Sequence, residues 1–196
     1  MSDGERPTPR RHEICPAERA AHLDTRLRRI LYRPERVAGR YVKPGDRVLD
    51  FGCGPGFFTR EFAKQVGKQG LVLAVDVQEE MLEILRRNLD TTGLISRVQT
   101  HRCGPDSLDL SPDLDGSLDA AFLIFVVHEV PDPAGLFSGI AALLRPGGTL
   151  FLSEPAFYVS GREFQETLSL AEKAGFATVQ RLFLFVNRAA VLRRKR

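Results

Sequence analysis

The 196-residue chain carries a net charge of +3 and is 43% hydrophobic, which suits one folded domain with a substantial core and leaves little room for a second. So small a charge argues neither for nor against an anionic partner, and the basic end Arg193–Arg196 reads as a solvated terminus. Three widely spaced cysteines make no disulfide framework and no apolar run has the length of a membrane span or signal peptide, so a cytoplasmic protein is expected.

Residues 1–13 carry prolines and charges without a hydrophobic period and read as a flexible tail. From Ala17 to Leu31 the apolar residues Ala20, Leu23, Leu27, Ile30 and Leu31 recur at three and four, the pattern of an amphipathic helix with an arginine-rich outer face. Pro34 ends it, a short helix follows over Glu35–Tyr41, and Lys43-Pro44-Gly45-Asp46 turns into the first strand. Strands are expected at Arg47–Phe51, Leu71–Val75, Val98–Arg102, Leu118–Phe125 and Thr149–Ser153. Helices at Phe57–Val66, Gln78–Leu89 and Ala134–Leu144 separate them. Such alternation of buried strands and helices implies a parallel sheet covered on both faces. Gly161–Ala174 reads as a last helix stopped by Gly175, and Phe176–Phe185 and Ala189–Arg193 as two strands joined near Val186-Asn187-Arg188.

The most informative segment is Val48-Leu49-Asp50-Phe51-Gly52-Cys53-Gly54-Pro55-Gly56-Phe57, a buried strand with an acid near its tip and three alternating glycines. Gly52, Gly54 and Gly56 let the backbone pass close to a ligand, and the helix that follows turns its first amides toward the same place. The order G-x-G-x-G differs from the dinucleotide fingerprint G-x-G-x-x-G. Asp50 would repel a phosphate and attract an ammonium, so a ligand with a cationic amino-acid end and a ribose fits better than one with two phosphates. S-adenosyl-L-methionine is such a ligand.

Four motifs in order carry a resemblance: Val48–Gly56, the strand end Val75-Asp76, Phe125-Val126-Val127-His128-Glu129-Val130-Pro131-Asp132, and Leu144-Arg145-Pro146-Gly147-Gly148-Thr149-Leu150. Over roughly residues 40–192 the chain resembles the class I S-adenosylmethionine-dependent methyltransferases, in the small-molecule branch that includes the ubiquinone and menaquinone enzymes. The resemblance implies a Rossmann-like α/β fold: a seven-stranded, mostly parallel sheet with helices on both faces and a C-terminal antiparallel hairpin. It also implies a helical lid over 14–44 and a methyltransferase domain over 45–196.

On the donor side the resemblance places the backbone of Phe51, Gly52, Cys53, Gly54 and Gly56 around the methionine part of the cofactor, with Asp50 orienting its amino group. A carboxylate at Asp76 can accept from both ribose hydroxyls. Val77 and Gln78 follow where the family contacts ribose and adenine, and Met81 stands one helical turn on. An acid usually follows the third strand to take the adenine amino group; here that position holds Cys103, with Gly104 beside it and Asp106 three residues on.

On the acceptor side, transfer from a sulfonium is an in-line displacement, so aligning a nucleophile and excluding water matter most. A hydroxyl or thiol acceptor also needs a base. His128 is the candidate base, in the loop after the fourth strand that begins at Phe125; a structural role for it in that loop is the alternative. Glu129 is expected to cap the turn or take a substrate donor, and Glu154 and Tyr158 after the fifth strand edge the acceptor space. Cys15, with His12, His22 and Tyr32, belongs to the N-terminal segment expected to choose the substrate. Cys15 and Cys103 together raise a second possibility, an arsenite or thiol methyltransferase; a third is a cofactor-binding protein without catalysis. No resident metal is expected. Phe125–Pro131 lacks the Asn/Asp-Pro-Pro-aromatic loop of base-methylating enzymes, so the expected partner is a small methyl acceptor rather than nucleic acid, acted on by a monomer or homodimer.

Overall fold

The computed structural model describes residues 32–105, 107–184 and 186–196; the helix expected over 17–31 lies outside them. In chain order the elements are α1 (Pro34–Tyr41), β1 (Arg47–Phe51), α2 (Thr59–Val66), β2 (Leu71–Asp76), α3 (Glu79–Asp90), β3 (Val98–Arg102), β4 (Leu118–Ile124), α4 (Pro133–Leu143), β5 (Leu144–Pro155), α5 (Gly161–Lys173), β6 (Phe176–Leu184) and β7 (Asn187–Arg194). They form one seven-stranded sheet in the order β3-β2-β1-β4-β5-β7-β6. The pairs from β3 through β5 are parallel; β7 runs antiparallel to both β5 and β6. The expected fold class is therefore the observed one.

The order reverses at β1, which lies between β2 and β4, so the crevice at the carboxyl ends of these strands is where a ligand fits an open α/β sheet. Alternation along each strand divides the core in two. Leu49, Leu73 and Leu123 face α4 and α5, while Val48, Val72 and Phe122 face α1, α2 and α3. On the second face Phe122 is fully buried between Phe62, with ring centroids 4.2 Å apart, and Phe151 at 5.8 Å.

Several boundaries differ from those expected, each for a local reason. α2 begins at Thr59 rather than Phe57 because the glycine turn runs on through Phe58. β4 stops at Ile124 because Phe125 takes φ 63°, a left-handed conformation that a strand cannot continue. β5 is longer than expected because Leu144 already pairs with Leu118; the intervening residues bulge around Gly147 at φ 77° before Thr149 meets Ala120. β7 starts two residues early, since Asn187 pairs with both Pro155 and Leu184. α5 is fixed by a capping box in which Ser160 Oγ accepts from Glu163 N–H and the Glu163 carboxylate accepts from Ser160 N–H. No helix among the described residues is long and apolar enough to cross a membrane.

Truncating Phe122 to Ala opens a cavity between two helices and the sheet, and the expected cost is about 3–5 kcal/mol in urea unfolding. A loss below about 1 kcal/mol would contradict the central place given to this ring.

Candidate functional site

At the tip of β1 the chain turns through Gly52, Gly54 and Gly56, at φ 70°, 53° and 92°. The amides of Gly52 and Cys53 both donate to the Val75 carbonyl, at 2.8 and 3.1 Å, which ties the turn to the end of β2. A Cβ on Gly52 would come within 2.4 Å of Val126 Cγ2, so this glycine serves packing as well as conformation. A Cβ on Gly54 would meet nothing within 4 Å, and Gly54 lines the main cavity.

Two carboxylates lie beneath and beside this turn. Asp76 Oδ2 accepts from Gly54 N–H at 2.8 Å and Oδ1 from Gln78 N–H at 3.0 Å. A carboxylate offers about four acceptor sites, so these two bonds leave capacity for a ligand. Burial raises the Asp76 pKa, and the amide bonds from Gln78, Gly54 and Val77 oppose that rise. Asp50 is only 3% exposed and accepts from Thr59 Oγ1 at 2.6 Å. Burial pushes its pKa up to about 7; the Thr59 hydroxyl opposes the shift and the charge of Asp76 adds to it.

A cavity of about 590 Å³ opens at this end of the sheet. From the turn, Phe51, Gly52, Cys53 and Gly54 line it; from β2 and the start of α3, Asp76, Val77, Gln78 and Met81 do so. Across from them stand Phe125, His128, Glu129 and Tyr158, together with Tyr32. Among the described lining residues none is Lys or Arg.

Among the described residues five expected site residues do not line it: Glu154 on the acceptor side and four on the donor side. Asp50 sits behind the turn, Gly56 packs against Leu85 of α3, and Gly104 faces an adjoining cavity where its amide donates to Asp109 Oδ2. Cys103 is buried in the core with its amide donating to the Asp76 carbonyl, and burial pushes its thiol to about 11. A thiol so raised is a poor ligand or nucleophile. Its suggested partner Cys15 lies outside the described residues, as do His12, His22 and Asp106. No cluster of three or more metal-ligating side chains occurs among the described residues.

The acceptor side holds a contact that sequence reading missed. Glu154, the penultimate residue of β5 and 1% exposed, accepts from Val127 N–H through Oε1 at 2.9 Å. Its Oε2 lies 2.6 Å from His128 Nδ1. Nε2 is then the nitrogen left to the cavity, 3.8 Å from Glu129 Oε1, while the ring packs on Tyr158 at 4.8 Å between centroids. Burial acts to lower the His128 pKa, but the hydrogen bond to Glu154 and the charges of Glu154 and Glu129 outweigh it and hold the imidazole above its usual value. An acid directly after the largely apolar strand segment Leu150–Ser153 was the one available signal of this role. Thr59, the partner of Asp50, carried none beyond its place after the glycine turn.

The raised pKa of Asp50 has a consequence for stability. The folded state holds this proton more tightly than the unfolded chain, so the associated stability is present below about pH 3.8 and is lost as pH rises through about 7. Ionising the buried group costs on the order of a few kcal/mol. Asp50→Asn is therefore expected to melt roughly 5 °C or more above the wild type at pH 8, with the gap narrowing toward pH 4.5. Equal melting temperatures at pH 8 would contradict the assignment.

The sequence profile of a family described as a methyltransferase domain matches residues 48–148. The ubiquinone biosynthesis O-methyltransferase of Xanthomonas campestris pv. campestris strain B100 is 39% identical over 117 residues, covering 60% of this chain and 46% of that protein. Its counterpart from Xanthomonas axonopodis pv. citri is 37% identical over 121 residues, covering 62% and 48%. The chain thus spans just under half the length of the curated relatives it matches. Among solved structures, a SAM-dependent methyltransferase from Aquifex aeolicus superposes with a TM-score of 0.82 at 24% identity, over 92% of this chain and all of the other. The [4+2]-cyclase SpnF superposes at 0.69 with 18% identity, over 83% and 80%. These structural likenesses concern the fold; one of them is to a cyclase, so the chemistry must be argued from the site. The profile covers more than half of the chain, and the chain belongs to the methyltransferase-domain family.

Proposed function

We propose that the chain is an O-methyltransferase that acts on a hydroxyl of a small, uncharged aromatic molecule, with His128 as the base and Glu154 as the residue that positions it. The observation that carries this reading is the His128–Glu154 contact at the wall of the cavity.

The donor half fits the cofactor. The open side of the glycine turn at Gly54 accommodates the amino-acid end, and the free acceptor capacity of Asp76 suits a pair of ribose hydroxyls. The cavity lies within the range of about 300–1,000 Å³ usual for small-molecule sites. Asp50, behind the turn, acts through the field of its carboxylate on a cationic group in front of it. When bound, S-adenosylmethionine supplies an electrophilic methyl group on a sulfonium.

The acceptor half explains the preference for an uncharged ring. Phe57, Phe58, Phe125 and Tyr158 provide flat apolar walls, and an anionic acceptor would face Asp76 and Glu129 with no lining Lys or Arg among the described residues. With its Nδ1–H donated to Glu154, His128 keeps a lone pair on Nε2, which takes the hydroxyl proton as the acceptor oxygen takes the methyl. The raised pKa means that this neutral form accumulates only above pH 6.5, but the same shift makes Nε2 a stronger base. The names of the curated relatives, O-methyltransferases of ubiquinone biosynthesis, support a hydroxyl acceptor. A cavity that joins the glycine turn to a prepared base supports catalysis over binding alone.

Against a panel of phenols and quinols, scored by release of S-adenosylhomocysteine, His128→Ala is expected to lower kcat about 10²- to 10⁴-fold. In the wild type kcat should rise with pH through a midpoint above 6.5, because the neutral imidazole is the active form. Glu154→Gln should move that midpoint downward, since the partner carboxylate that raises it is gone. Undiminished turnover in His128→Ala, or an unmoved midpoint in Glu154→Gln, would rule out this pairing of roles.

A further inference from the structure

Beside the main cavity lies a second, much smaller one of about 30 Å³, with Tyr32, Phe58, Ile124 and Phe125 common to the walls of both. Its remaining lining includes Ser153 and Asn187. Asn187 opens β7, where it pairs with Pro155 at the end of β5 and with Leu184 of β6. The side chain is 3% exposed, and its Oδ1 is buried with no hydrogen-bond partner among the described residues. An amide oxygen in that state forfeits its bond to water without replacement, which folded proteins rarely tolerate unless something outside the chain completes it.

The wall between the two cavities is itself unusual. Phe125 holds φ 63°, a conformation a large side chain avoids, and is kept there by its amide donating to the Ser153 carbonyl at 2.8 Å. This backbone sets the ring against Tyr32, with centroids 5.0 Å apart, between the acceptor space and the chamber of Asn187. A volume of that size takes a hydroxyl or a water or two, since one water needs about 10–15 Å³.

We propose that the acceptor reaches past Phe125 into this chamber and that Asn187 Oδ1 receives a hydrogen bond from a second donor-bearing substituent, a hydroxyl in the simplest case, other than the one methylated. Asn187 is then a specificity-determining residue: it favours acceptors that carry this second donor over those that lack it, because only they satisfy the buried oxygen. The proposal rests on the aromatic acceptor reading above.

Binding to the chain saturated with S-adenosylhomocysteine tests it without turnover. The ligands are phenol, the three dihydroxybenzenes and the three hydroxybenzyl alcohols, titrated by calorimetry into wild type, Asn187→Leu and the smaller Asn187→Ala. Retained S-adenosylhomocysteine binding confirms that each variant is folded. At least one of the six should bind the wild type about tenfold or more tightly than phenol, and that ratio should fall to near one in both variants. A ratio that survives both substitutions, or the absence of any preference in the wild type, overturns the role of Asn187 while leaving the acceptor reading intact; the chamber then holds water only. Failure of all seven compounds to bind overturns the aromatic acceptor reading, and this proposal with it.

Discussion

Two carboxylates held out of water at the tips of neighbouring parallel strands are the constraint around which this site is built. Asp50 pairs in register with Ala74, which puts Asp76 two residues further along the adjacent strand. Burial and mutual repulsion both act against ionising Asp50. The chain answers with donors: the Thr59 hydroxyl for Asp50, and the Gly54 and Gln78 amides for Asp76. Only a backbone able to take positive φ brings the Gly54 amide to Asp76, so the glycine turn, the start of α2 and the entry to α3 all follow from housing these acids. A site that is costly when empty and rewarded by a cationic, hydroxyl-bearing ligand is a preorganised one.

The acceptor half is organised by the opposite side of the same sheet crevice. The β4–β5 register aligns Ile124 with Ser153, so the residue after Ser153 stands beside the loop that leaves β4. Glu154 uses that adjacency to hold both the Val127 amide and the His128 ring. One buried side chain thereby fixes the loop and selects which imidazole nitrogen meets the cavity. Phe125, in a left-handed conformation at the start of this loop, stands between the cavity and the small chamber beside it. The rigid elements are β4 and β5, and Phe125, His128 and Glu154 stand at or just beyond their ends.

Much of this was legible in the sequence because its cues are local. Alternating glycines after a buried strand and Asp at the end of the next each mark one turn, and both fall where expected, whereas Pro146-Gly147-Gly148 forms a bulge inside β5 rather than a turn before it. Residues whose roles depend on strand register were harder to read. Glu154 finds His128 across 26 positions, and Asn187 reaches its chamber through pairing with Pro155. No periodicity records such meetings. Cys103 shows the converse: its place after β3 suggested a ligand contact, but its side chain packs in the core instead of lining the cavity, and its amide donates to the Asp76 carbonyl. The boundary shifts at Phe125 and Leu144 likewise come from backbone geometry imposed by neighbouring strands rather than from residue preference.

The donor site is the centre of this account, and calorimetric titration of S-adenosylhomocysteine into wild type and Asp76→Ala at pH 8 tests it most directly. One-to-one binding to the wild type is expected, with an affinity loss of about tenfold or more in the variant, where the buried acceptor for the ribose is gone. Equal affinities, or a wild type that binds NAD and ignores S-adenosylhomocysteine, would contradict it.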